Sequence, residues 1–462
     1  MQGPDRLRLP RVDRVAARPE LDRARAALGE RVVVDLVRAA ISEVRRAVLV
    51  GGRAEPPDEA EVARDAQARA EAILTSRMRR VVNATGVLLH TNLGRAPLGA
   101  KARDAVAELA SGYCSLELDL STGKRGGRAR FVEAALCALT GAEAALVVNN
   151  CAAAVLLLLA AVARGREVIV SRGELVEIGG GFRVPEIMAE SGATLVEVGT
   201  TNKTRARDYE RALEAHPAAA AILRVHQSNF VQVGFVERPA LAELAELSRS
   251  RGLPLLEDLG GGALVDLSAA GLSGEPTVGA SIAAGVSAVT FSGDKALGGP
   301  QAGAIVGSAT LVEAARRHPL ARAVRLGRLP MAALEATLAA YLDGSAGRGV
   351  PVLALAHATY DEVRRRAERW AEVLRAAGAT ATVVDTEAEL GGGALPGRTV
   401  RSAALRVMPA ECGVEAFAAR LRGGRPAVVG RVQEGGVLFD ARTVLDDEDE
   451  LLLGRITGSL KG

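Results

Sequence analysis

The sequence predicts an α/β protein: a large, mostly parallel sheet covered on both faces, a small α+β domain after it and a small helical domain before it. Three observations carry this. Between residues 81 and 345, short runs rich in Val, Ile and Leu ("AALVV", "EVIVS", "AAILRV", "PLLEDL", "AVTFS") alternate with helical stretches such as "RPALAELAELSRSRG". Strands that are apolar at every position need cover on both faces, and strand–helix alternation is the pattern of parallel sheets. Residues 1–55 instead hold short amphipathic stretches, among them "VVVDLVRAAISEVRRAVL", ended by the breakers in "GGRAEPP". Finally, the 462 residues are 48% hydrophobic and 24% charged but only 3% aromatic. That is a globular composition whose cores are built from Ala, Val and Leu.

Taken in chain order, residues 1–55 are read as a helical domain. Its first 54 residues carry 12 arginines, no lysine and 7 acids, whereas the whole chain has a net charge of only +3. A basic module on a near-neutral body suits a polyanionic partner. Residues 56–80, ending in "EAEVARDAQARAEAILTSRMRR", read as a linker helix, and 81–345 as the large domain. Residues 346–462 combine a long amphipathic helix ("ATYDEVRRRAERWAEVLRAAG") with strands such as "RSAALRV" and "GGVLFDARTV", a small α+β domain. The longest apolar run, "CAAAVLLLLAAVA" at 151–163, is too short to span a bilayer and reads as a buried helix. The first residues lack the apolar centre of a secretory signal, so a cytoplasmic protein without a membrane partner is expected. Cys114, Cys137, Cys151 and Cys412 form no CxxC pair and, with five scattered histidines, give neither a zinc spacing nor a disulfide framework. No metal is expected.

In parallel sheets, ligands bind beyond the carboxyl ends of the strands. After "AALVV" come Asn149, Asn150, Cys151 and Ala152, opening an apolar helix. Small and amide residues at a helix N-terminus suit a phosphate. After "PLLE" comes Asp258, followed by "LGGGA"; a strand-end acid is costly to bury unpaired. After "AVTF" come Ser292, Gly293, Asp294 and Lys295. This order of phosphate cradle, acid and lysine is the one expected for pyridoxal 5'-phosphate. Lys295 is the Schiff-base lysine, which needs a neutral amine and therefore a desolvated setting. Asp258 pairs with the protonated pyridine nitrogen. Ser292, with Asn150, Cys151 and Ala152, holds the phosphate. Glycines around Lys295 let backbone approach the cofactor. Asp294 either tunes proton transfer or orders the loop, and His226, ending "AAILRV", either lines the pocket or is a satisfied core histidine.

These residues lie in segments that resemble the bacterial L-seryl-tRNA(Sec) selenium transferase (selenocysteine synthase) family: "RRVVNATGVLLHTNLGRAPL", "LDLSTGKRGGR", "SRGELVEIGGGFRVPEIM", "EDLGGGALVDL", "FSGDKALGGPQAG" and "HPLARAVRLGRLPMAALEATLAAYL". The resemblance runs from about residue 8 to the C-terminus. It implies the fold type I pyridoxal phosphate (aspartate-aminotransferase-like) architecture. It further implies conversion of seryl-tRNA(Sec) to selenocysteinyl-tRNA(Sec) through a dehydroalanyl intermediate, with selenophosphate as donor. Arg95, Arg322 and Arg325 are the positions it implies for selenophosphate; guanidinium groups stay charged and grip phosphate oxygens with two donors. Lys124 and Arg125 in "TGKRGGR" are open between contact with a phosphate or the tRNA acceptor end and a solvated loop. The helical N-terminal domain is implied to read the tRNA body, and the assembly to be a ring-shaped homodecamer of dimers. A second reading stays open: a pyridoxal phosphate-dependent lyase for a phosphorylated amino sugar or amino acid, with the same arginines holding the substrate's phosphate. The N-terminal module, unnecessary for a small substrate, discriminates the two.

Overall fold

The computed structural model describes residues 9–49, 57–179 and 181–461. The ends of the expected 1–55 domain and the first residue of the expected linker therefore lie outside the described residues. The chain forms two compact units, Met1–Arg80 and Val81–Gly462.

The first unit holds α1 (Val12–Ala16), α2 (Asp22–Leu28), α3 (Glu30–Leu49) and α4 (Glu59–Thr75). Gly29, at φ 86°, makes the bend between α2 and α3 that a side chain would resist. Val15, Leu21, Ala24, Val33, Val37 and Ala40 form one core with Val62, Ala63, Ala66 and Ala70 of α4. The segment expected as a linker is thus a wall of this core: its alanines recur at helical spacing and let α4 lie against its neighbours. On the outer face of α3, exposed Arg31, Arg38 and Arg45 recur every seventh residue. Arg38 pairs with Asp35 at 3.0 Å, whereas Arg31 and Arg45 form no ion pair among the described residues.

The second unit is organised on seven strands: β1 (Ala144–Val148), β2 (Glu167–Ser171), β3 (Thr194–Val198), β4 (Ala221–Val225), β5 (Leu255–Gly260), β6 (Ala288–Ser292) and β7 (Gly303–Gly307). Their spatial order is β1-β7-β6-β5-β4-β2-β3. Only β7 runs antiparallel to its neighbours. Side chains alternate between two cores, as the two-residue strand period requires. Val168 and Val170 join Leu157 and Met188 on one face, and Ile169 joins Leu136 and Leu334 on the other. The mostly parallel sheet covered on both faces is what the apolar runs predicted. Because β7 reverses, the carboxyl ends of β1, β4, β5 and β6 share one edge with the start of β7.

Beyond the large sheet, β8 (Thr380–Gly391), β9 (Ala394–Met408), β10 (Arg431–Gln433) and β11 (Gly436–Asp440) form an antiparallel sheet in the order β8-β9-β11-β10. Helices Tyr360–Ala376, Val414–Gly423 and Asp449–Leu460 cover it, with Trp370, Phe417, Phe439 and Ile456 in the core. The short strand Val81–Asn83 pairs in parallel with Ala427–Val429, so Val82 and Ala84 pack in this C-terminal layer, away from the large sheet. No helix among the described residues is long and apolar enough to cross a membrane.

Candidate active site

At the shared edge of the large sheet lies a cavity of about 650 Å³. Its first wall is the turn from β1 into helix α5 (Cys151–Ala163). The Asn150 side chain caps that helix by accepting the Ala153 N–H at 2.9 Å. The N–H groups of Cys151 and Ala152, in the first turn, have no acceptor within the helix. Gly303 opens β7 beside this turn. A Cβ there would stand 2.0 Å from the Asn150 carbonyl oxygen, so only glycine lets β7 run so close.

The floor is Asp258. Strand register sets it opposite Thr290 on β6 and Val225 on β4. Two donors meet its Oδ1: the Thr290 hydroxyl at 3.3 Å and the Cys151 thiol at 3.4 Å. Burial pushes the Asp258 carboxyl above its usual range, and these donors with the Lys295 charge oppose that. Burial first, and the Asp258 charge second, push the Cys151 thiol well above its ordinary value, which keeps it a donor. The backbone N–H of His226 donates to the Asp258 carbonyl at 2.8 Å. Burial, then the charges of Arg224, Arg238 and Lys295, lowers the His226 imidazole to about 4, so the ring is neutral at pH 7.

Lys295 enters from the loop between β6 and β7, only 6% exposed. Its Nζ donates to the Gly393 carbonyl at 3.4 Å. A Cβ on Gly393 or Gly260 would stand 3.0 or 3.7 Å from that nitrogen, so two glycines leave the amine accessible. Arg95 lines the same cavity, its backbone left-handed at φ 62°, its guanidinium 2.8 Å from Asp294 Oδ2. Asp294 is buried, and its Oδ1 has no hydrogen-bond partner among the described residues.

These features fit pyridoxal phosphate. A capped helix start with spare N–H groups faces the same cavity as a buried carboxylate held by two donors and an amine flanked by glycine. Lys295, Asp258, Ser292, Asn150, Cys151, Ala152, His226 and Arg95 all line it. Arg322, Arg325, Lys124 and Arg125 do not. Arg325 and Arg125 reach Glu117 at 3.0 and 2.8 Å, and Arg128 joins them at 3.0 Å. Arg322 is exposed and its charge acts on Arg325, while Lys124 is exposed beside Arg125. One carboxylate thus gathers three guanidinium groups, which leaves the cluster strongly positive.

Two further features stand here that the sequence does not announce: Glu275, buried near Lys295, and the turn Gly391–Gly393 against the lysine. The only signal was a further triple glycine in "GGGALPG".

The sequence profile of the L-seryl-tRNA selenium transferase family matches residues 81–445. The chain is 46% identical over 442 residues to the L-seryl-tRNA(Sec) selenium transferase of Carboxydothermus hydrogenoformans, covering 95% of this chain and 94% of that one. It is 47% identical over 459 residues to that of Moorella thermoacetica, covering 98% and 97%. Among solved structures, D-glucosaminate-6-phosphate ammonia-lyase shares the fold, with a TM-score of 0.58 and 23% identity over 83% of this chain and 96% of that one.

Proposed function

Because the chain belongs to the L-seryl-tRNA selenium transferase family, we propose that the Lys295 cavity is where the serine carried by tRNA(Sec) is activated for exchange of its hydroxyl for selenium. The enzyme is a pyridoxal phosphate-dependent transferase converting seryl-tRNA(Sec) to selenocysteinyl-tRNA(Sec). The observation that carries the site assignment is Lys295 and Asp258 sharing one cavity beneath the Asn150-capped helix start.

When bound, the cofactor supplies an electron sink that acidifies the serine Cα–H. The N–H groups of Cys151 and Ala152, with Ser292, would hold its phosphate at the positive end of α5. Asp258, oriented by Thr290 and Cys151, would keep a proton on the ring nitrogen. Lys295 Nζ would take the Cα proton and would be placed to return one as the hydroxyl departs. Neutral His226 adds no positive charge beside Lys295. Loss of water leaves a dehydroalanyl ester on the tRNA; the selenium of selenophosphate adds to its β-carbon, a proton returns to Cα, and water cleaves the selenium–phosphorus bond to release inorganic phosphate.

Arg95 is the one arginine lining the cavity among the described residues, while Arg322 and Arg325 stand outside it. This supports a donor pocket completed by a neighbouring copy, within the homodecamer of dimers that the family resemblance implies. A tRNA substrate supports a cytoplasmic enzyme. A small-molecule lyase is not favoured: relatives such as the Moorella protein align over 98% of the chain, the N-terminal unit included.

The deciding experiment is incubation with seryl-tRNA(Sec) and selenophosphate, followed by identification of the esterified amino acid. Selenocysteine is expected; serine alone, from protein carrying the cofactor's visible absorbance, overturns the assignment. Arg322→Ala is expected to weaken selenophosphate use about 10- to 100-fold, the worth of one charged hydrogen bond, and dehydroalanyl formation far less. Equal loss of both half-reactions counts against a separate donor pocket.

A further inference from the structure

Glu275 is a buried carboxyl, 7% exposed, that the reaction above does not use. It sits in the loop before helix Val278–Ala283. That loop is fastened to the glycine run after Asp258, where Val278 N–H donates to the Ala263 carbonyl at 2.9 Å. Glu275 Oε2 accepts the Leu395 N–H at 3.2 Å. Its Oε1 has no hydrogen-bond partner among the described residues and lies 1.9 Å from where a Cβ on Gly261 would fall.

Leu395 follows a turn in which Gly391, Gly392 and Gly393 have φ of 71°, 59° and 78°, and Leu395 itself has φ of 48°. Left-handed backbone is seldom adopted by a leucine and needs an outside tie to persist. The turn is boxed on its other sides. Leu89 N–H donates to the Leu390 carbonyl at 2.8 Å, and a Cβ on Gly392 would stand 2.5 Å from the Leu89 carbonyl. A continuous path thus runs from the Glu275 carboxylate through the Leu395 amide and the Gly393 carbonyl to Lys295 Nζ. Its last link, 3.4 Å, is at the long limit of a hydrogen bond and leaves the amine able to swing into the cavity.

We propose that Glu275 is a positioning residue that holds the Leu395 amide and so seats the Gly391–Gly393 turn, whose Gly393 carbonyl receives the Lys295 ammonium whenever that lysine is not bonded to the cofactor. This rests on the assignment of Lys295 as the cofactor lysine. Burying a carboxylate is costly without such a partner. Burial pushes the Glu275 carboxyl up to about 7, against the opposing pull of the Leu395 N–H and of the Lys295 charge, the one charged group acting on it among the described residues.

Two readouts on the full chain test it: hydrogen exchange of a peptide spanning residues 389–398 in cofactor-free protein, and the rate at which added pyridoxal phosphate develops visible absorbance. At pH 8 and above, where the Glu275 carboxyl is ionised, Glu275→Ala is expected to speed the exchange and slow the capture, each about tenfold, the worth of one hydrogen bond donated to a charged acceptor. Glu275→Gln keeps an acceptor for Leu395 and restores the exchange. Gly261→Ala, whose Cβ displaces the carboxylate, copies Glu275→Ala but adds little on top of it. Should Glu275→Ala not fold, Glu275→Met fills the volume without an acceptor and replaces it. Exchange and capture both unchanged in the Ala or Met variant overturn the proposal while leaving the Lys295 assignment standing. Native protein that develops no visible absorbance removes the Lys295 assignment itself.

Discussion

Lys295→Ala is expected to yield a colourless protein whose selenium transfer falls by about 10⁴-fold or more, the combined loss of the proposed covalent anchor and positioned proton carrier. The size of the effect follows from the cavity's inventory. Lys295 is the one lysine lining it among the described residues, so no neighbouring amine substitutes. Cofactor still enters, because Asn150, Cys151, Ala152, Ser292 and Asp258 are untouched, but it washes out on dialysis. Lys295→Arg separates bond from charge. It keeps a cation against the Gly393 carbonyl, yet a guanidinium stays protonated and cannot serve as a nucleophile. It is therefore expected to be as colourless as the alanine variant. Visible absorbance surviving in either variant, read after dialysis, removes Lys295 from the chemistry.

That cavity was largely legible in the sequence for a physical reason. In a parallel sheet the strand carboxyl ends converge, so the residues after each apolar run are neighbours whatever their separation along the chain. Asn150, Asp258, Ser292 and Lys295 were found this way. Glu275 and the Gly391–Gly393 turn were not. Glu275 lies in a long loop after β5, and the turn returns from the C-terminal sheet, so no local period points to the Lys295 amine. The reversal of β7 was hidden too, since an apolar run carries no direction. Arg322, Arg325, Lys124 and Arg125 illustrate a different limit. Residue type announces an anion site but not which cavity it serves, and Glu117, which gathers two of these arginines with Arg128, gave no signal of its own. The helix expected as a linker also packs on the core of the first unit, a contact its composition hides: its buried stripe is mostly alanine, too weakly apolar to stand out beside so many charges.

If the N-terminal unit holds the tRNA, replacing Arg31, Arg38 and Arg45 together by alanine is expected to weaken binding of tRNA(Sec) and flatten its salt dependence, the slope of log affinity against log salt falling by about two to three. The three lie on one stripe of α3, because seven residues are close to two full helical turns, and the rise per residue spaces them about 10 Å apart. Such spacing follows a phosphate backbone but reads no base, so the loss extends to any tRNA of the same shape. Arg38 is paired with Asp35, both largely exposed, and a surface ion pair is worth too little to withhold the arginine from a phosphate. The opposite face of α3 carries Val33, Val37 and Ala40 in the core, so the triple variant keeps its helicity and, with the cavity untouched, its colour. Unchanged affinity and slope in a folded, coloured triple variant would move the tRNA contact off this helix. A changed slope with unchanged colour assigns the N-terminal unit to holding the RNA and the Lys295 cavity to the chemistry, because only the first should respond to salt through counterion release.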